Sequence, residues 1–367
     1  MPESLPSQPE MGISYDSLSS EVRPYADNLR AQIYGLLERY GAKNPEELKA
    51  ANPTDKDLEH LADLLEQLDH IRKTGAAMEK TKRELFHLDL ESSLQEAREI
   101  LGDENVYGPD KIQQVFEVDL APSEIPNLPF SREDLEKAKE LGMILVLRVS
   151  HDSDYNPLTP ARMHELLQPR LDAEGRGKML FRIDWYKDEP FFTRETPVRS
   201  FDRARNDGGG RAGDDTLQAE WKLITRDILP DSTSKNYLEQ TRLLRDKLKD
   251  LGWLTGEEAA EVTDKKLAEI EPFLTSDWKK ASQLLANLNI TTNHRRSLSE
   301  ALYDTMLVYL SQEDTGDRPL PNRYDWVMTL SSDGILVSLG IFDSEGASVD
   351  RWRPGARNSA IGVVFSR

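Results

Sequence analysis

The sequence contains no cysteine. That absence excludes disulfides, thiolate metal sites and cysteine nucleophiles together, and it fits a reducing compartment. Histidine is scarce too. None of His60, His70, His87, His151, His164 and His294 has a partner at the i, i+4 spacing of a zinc-binding helix, so no metal or other cofactor is expected. No apolar run approaches the roughly 18 residues needed to span a bilayer. Positive charge is in deficit, with 47 Lys and Arg against 66 Asp and Glu, a net charge of −19. A chain of that sign repels phosphate backbones and anionic lipid surfaces, so neither nucleic acid nor membrane is expected as a partner. The start, Met1-Pro2-Glu3-Ser4, has neither a basic nor an apolar leader segment, and the expected location is cytoplasmic.

What is present has the length for two or three domains, at 367 residues. Residues 1–12 carry prolines and no apolar period, which predicts a disordered tail. Residues 13–130 read as a helical domain with a Pro-rich linker. Its best stripe is Leu58, Leu61, Leu64, Leu65, Leu68 and Ile71, with Thr54 as N-cap, and Pro109, Pro122, Pro126 and Pro129 mark the linker. Residues 131–367 read as one α+β domain. Ser131 opens a helix, Met143 to Val149 is a buried strand, Thr159-Pro160 opens another helix, and Met179 to Tyr186 reads as a second strand. A Gly-rich, nearly apolar-free stretch at 199–215 predicts a mobile loop. From 234 to 312 the chain is helical. Leu238, Leu244, Leu248 and Leu251 form one stripe, Trp278, Ala281, Leu285 and Leu288 another, and Ser297 with Glu300 fits a capping box.

The last 37 residues change character, holding five of the 21 glycines. Asp333-Gly334, Glu345-Gly346 and Pro354-Gly355 are turn signals between the apolar runs Ile335 to Phe342, Ala347 to Trp352 and Ile361 to Phe365, so short antiparallel strands are expected. Trp326, Ser331-Ser332-Asp333-Gly334, Phe342-Asp343, Trp352 with Pro354-Gly355, and the closing Gly362-Val363-Val364-Phe365-Ser366-Arg367 together resemble the end of a C-type-lectin-like domain. The branch resembled is the formylglycine-generating, or sulfatase-modifying-factor, type, which also supplies the variable proteins of diversity-generating retroelements. The resemblance covers about 45 residues. It implies a fixed scaffold displaying changeable side chains, but the cysteine chemistry of the formylglycine generator has no residues here to perform it.

The leading expectation is therefore a binding protein that recognises a protein or carbohydrate ligand. Contacts would come from Ser331, Ile335, Ser338, Ile341, Ser348, Arg351, Arg353, Arg357 and Asn358, beside the glycine turns, while Trp326, Phe342, Trp352 and Phe365 fill the core. An alternative is a metal-dependent hydrolase or nuclease centred on Asp184, Asp188 and Glu189 with Lys187, because carboxylates hold hard cations. A third is a scaffold that pairs through its N-terminal helices. Three other clusters read as local structure. His151-Asp152-Ser153-Asp154 suits a turn, Gly208-Gly209-Gly210 lacks the Lys of a P-loop, and Ser232 with Lys235 sits in an N-cap run.

Overall fold

The computed structural model describes residues 33–65, 90–193, 217–312 and 317–367, apart from 35, 38, 52, 55, 59, 122 and 123. The expected tail at 1–12, the expected loop at 199–215, and Leu68 and Ile71 lie outside the described residues. The chain divides into two compact units, 1–89 and 90–367. Residues 90–130, grouped by sequence with the N-terminal helices, thus belong to the second unit.

In the first unit Ile33, Leu36, Leu37, Leu48, Leu61 and Leu64 close one apolar cluster, with Leu65 and Tyr40 against it. Asn44 caps helix α1 (Pro45–Ala50) by accepting from the N–H of Glu47. Thr54 accepts from the N–H of Asp57 at 3.2 Å, as its cap role requires.

The second unit is α+β. It opens with a helix over 90–101, followed by α2 (Pro109–Phe116), α3 (Arg132–Glu140), α4 (Pro160–Ala173), α5 (Pro190–Thr193), α6 (Tyr237–Leu251), α7 (Gly256–Glu261), α8 (Asp264–Ile270), α9 (Phe273–Ser276), α10 (Trp278–Ala286), α11 (Asn289–His294) and α12 (Leu298–Leu310). Strands β1 (Val106–Tyr107), β2 (Met143–Arg148) and β3 (Glu220–Thr225) form one sheet, β1 parallel and β3 antiparallel to β2. The second sheet, in the order β6-β5-β4-β7, joins β4 (Tyr324–Leu330), β5 (Leu336–Asp343), β6 (Gly346–Trp352) and β7 (Ile361–Gly362).

Helix α12 carries the core. Every residue from Leu298 to Leu310 except Glu300 is buried, because the helix packs against β2, β4 and β5 and is apolar nearly all round. Its start is the capping box that Ser297 and Glu300 predict. Capping boxes also open α3 at Ser131 and Asp134 and α6 at Asn236 and Glu239. The α6 cap is Asn236, inside the expected N-cap run but past the expected helix start at Ser234, which instead turns left-handed at φ 58°.

The chain's end ties the two sheets. Ile361 and Gly362 run parallel to β4, and the next residues run antiparallel to β3, Thr225 N–H donating to Phe365 O and Leu223 N–H to Arg367 O, both at 2.9 Å. A Cβ on Gly362 would lie 2.4 Å from Ser232 Oγ, so only glycine lets this crossing pass so close.

A buried ionic chain follows the same seam. The fully buried Arg148 of β2 forks onto Asp304 of α12, Nε at 3.0 Å from Oδ1 and Nη2 at 2.8 Å from Oδ2, and its Nη1 reaches Glu300 at 2.6 Å. Arg296 bridges Asp304 to Asp325 of β4, and Asp325 Oδ1 accepts from the N–H of Val364 at 2.8 Å. Burial alone would lower the Arg148 pKa, but Asp304 and Glu300 outweigh it and raise it.

One expected strand needs correction. Only the start of Met179 to Tyr186 is extended, where Leu180 bridges to Ala347. Arg182 then turns left-handed at φ 48°, and Ile183–Trp185 is a single 3₁₀ turn.

Candidate recognition surface

Strands β4 and β5 are buried on both faces for most of their length, while β6 is the outer strand of its sheet and only partly covered. What reaches solvent therefore gathers along β6 and at the sheet end formed by the β4–β5 turn and the chain after Trp352.

Two residues expected at this surface are not there. Ser338 is fully buried in mid-β5, because that strand has no open face. Ser331 is buried too and serves the turn, its hydroxyl donating to Asp333 Oδ1 at 2.5 Å and accepting from the N–H of Ile335 at 3.1 Å. That hydroxyl, with Arg351 beyond it, holds the Asp333 carboxyl below its ordinary range against a weaker opposing effect of burial.

The others divide by what they touch. Ile335, Ile341 and Ser348 are half-buried, Ile341 at a β-bulge with φ 42°. Asn358 is half-buried and structural, its side chain accepting from the N–H of Ala360 at 2.7 Å and its carbonyl from Ser234. Arg357 is exposed and pairs with Glu239 at 2.7 Å. Trp326, Phe342 and Phe365 are buried, whereas Trp352 is half-buried with its Nε1 enclosed and unpartnered.

The structure joins the two sequence clusters that had seemed rival sites. Glu189 Oε1 pairs with Arg351 at 3.1 Å, and its Oε2 accepts from the N–H of Ser332 at 2.9 Å. Asp184, largely exposed, pairs with Lys187 at 2.9 Å. Asp188 is exposed on the same turn. Among the described residues no group of three or more His, Asp or Glu is arranged to hold a metal ion. The His151 turn is likewise local, its buried Asp152 accepting from the N–H groups of Asp154 and Asn156 and from Arg162 at 2.6 Å. Ser232 donates to Leu229 O and accepts from Val363 N–H, which occupies its hydroxyl in the core.

Sequence reasoning missed two aromatic–cation clusters beside β6. The first follows Leu180. The Arg182 guanidinium lies 4.7 Å from the Phe181 ring centroid and 4.3 Å from that of Trp185, and Trp185 itself is 69% exposed. Phe181 N–H donates to Ala347 O at 2.9 Å, which fixes this cluster to the β6 edge. The second lies past the other end of β6. Arg353 sits 5.1 Å and Lys279 Nζ 5.4 Å from the Trp278 ring centroid, and Lys280 Nζ sits 3.9 Å from that of Phe273. A Cβ on Gly334 would lie 3.9 Å from Lys279 Cγ and one on Gly355 3.2 Å from Leu274 O, so both glycine turns abut this cluster.

Compared with known proteins, the chain matches no family model, no curated protein and no solved structure.

Proposed function

We propose that the protein is a recognition protein whose ligand, a protein or a carbohydrate, docks along β6 and the turns at its ends. The observation that carries the reading is Trp185, 69% exposed yet held against Arg182, which is in turn stacked on Phe181. Leaving so large an apolar ring in water costs free energy, and Trp and Arg are the residue types that dominate binding energy where they pack at interfaces. Pinning the ring in advance lowers the entropy lost on binding. The acid cluster contributes to this surface rather than to catalysis, since both oxygens of Glu189 are engaged by Arg351 and Ser332.

The lectin-like resemblance belongs to the same proposal. Supporting it are the β5–β6 hairpin, the glycine turns and the final strand returning beside β4. A near-copy of the last coding bases beside the gene, differing at adenines and accompanied by a reverse transcriptase, is the finding that would test the retroelement connection.

The recognition reading is tested by presenting the full chain to peptide and glycan arrays beside Trp185→Ala and Arg182→Ala. Binders of the wild type should lose roughly tenfold or more in affinity, with the melting temperature unchanged. Binders indifferent to both changes, or no binder on either array, would refute it.

A further inference from the structure

Resting on that recognition reading, we infer that the sheet end at Trp278 takes an acidic, extended segment of a partner protein. Lys279, Lys280 and Arg353 make no ion pair among the described residues, although the chain carries an excess of 19 negative charges. The carboxylates around them are already engaged. Glu189 holds Arg351, Glu271 holds Arg242 at 2.9 Å, Asp333 accepts from Ser331, and Asp277 accepts from the N–H of Lys280. Lys279 and Lys280 also stand in the first turn of α10, which has no acidic residue, so their charge adds to the positive end of the helix instead of offsetting it. At that helix end the Asp277 carboxylate caps the backbone N–H of Lys280 and, among the described residues, pairs with neither ammonium group.

The cations are also held in place. Stacking on Trp278 and Phe273 fixes the three charged groups in an array before any ligand arrives, and both rings remain half-exposed. Carboxylates spaced along an extended peptide can meet such charges, and its apolar side chains can lie on the ring edges. A nucleic acid would bring the same sign of charge, but its long uniform phosphate array must approach a molecule of −19, whereas a short acidic segment feels mainly the local patch.

The test uses the full chain and a short fluorescein-labelled polyglutamate peptide, with oligothymidylate and heparin as rival polyanions. Fluorescence anisotropy should show polyglutamate bound, weakening as salt rises, and weaker by roughly tenfold or more in Lys279→Glu/Lys280→Glu/Arg353→Glu. If the triple reversal does not fold, Lys280→Ala/Arg353→Ala should show the same direction of change with an unchanged melt. Polyglutamate that fails to bind, or that binds wild type and variant equally, overturns the inference, and so does tighter binding of oligothymidylate or heparin that the same substitutions abolish. Loss of array binding in Trp185→Ala alongside a failure of polyglutamate would overturn the acidic partner and leave the recognition reading standing. Array binding indifferent to Trp185 sinks that reading itself.

Discussion

Replacing Glu258 with Gln should remove a pH-dependent clamp on the second unit. Glu258 is 1% exposed, and its Oε1 faces His294 Nε2 at 3.0 Å and accepts from Asn293 Nδ2 at 2.8 Å. His294 Nδ1 faces Ser366 O at 2.9 Å, so both ring nitrogens lie against oxygen acceptors. Burial alone would raise the Glu258 pKa, but the His294, Asn293 and Thr255 N–H contacts outweigh it and hold it at about 2, against an ordinary 4.5. A folded pKa below the unfolded one contributes stability that is present above the unfolded value and lost as pH falls through the folded one. The depression corresponds to about 3 kcal/mol at neutral pH and only about 1 kcal/mol by pH ~3. All six tryptophans lie in the second unit, so their fluorescence during urea unfolding reports that unit alone. The gap between wild type and Glu258→Gln should be about 3 kcal/mol near neutrality and shrink between about pH 4.5 and 3. A gap that stays constant across that range would refute the ionic clamp and leave only a packing role for Glu258.

Asp304→Ala leaves Arg148 and Arg296 buried without their shared partner, and should cost about 3–5 kcal/mol in urea unfolding; a loss under about 1 kcal/mol would mean the chain of ion pairs is not coupled to folding. Gly340→Ala would place a Cβ 1.9 Å from Arg323 O, so the β4–β5 pairing must shift. A cost of about 3 kcal/mol is expected in the thermal melt, and a neutral result would mean that pairing yields easily.

Much of the fold was legible where local chemistry decides it. Capping boxes at Ser131 and Ser297, the Thr159-Pro160 helix start and the apolar run at Met143 each specify a structure from adjacent residues alone. The C-terminal strands were legible from their glycine turns. Less visible were β3 and β4, whose EWKLIT and YDWVMTL mix apolar and polar residues. Their polar members find partners far along the chain. Asp325 accepts from Val364 and Thr225 Oγ1 from Phe365 N–H, at separations no periodicity encodes. The expectation of a strand up to Tyr186 failed for a related reason. Apolar residues there are held by contacts to β6 and by the left-handed Arg182, not by a ladder of their own.

The candidate surface was harder to read because its contacts join residues that spacing cannot connect. Ser331 and Ser338 were expected to face outward because they stand beside glycine turns, yet α12 packs against both β4 and β5, and most of each strand is buried on both faces. Trp278 was read as the head of the core stripe that continues through Ala281 and Leu285. Those two are buried, but the stripe leaves the core at its first member, and the ring it exposes is met by Arg353, 75 residues later. The signal that was available is electrostatic rather than periodic. Two lysines at the second and third positions after the Asp277 N-cap run against the charge preference of a first turn, in a chain with acids to spare. A first turn that keeps an unfavourable charge when the favourable one is abundant points to a constraint outside the helix. Under the recognition reading proposed above, that constraint is the surface those lysines border.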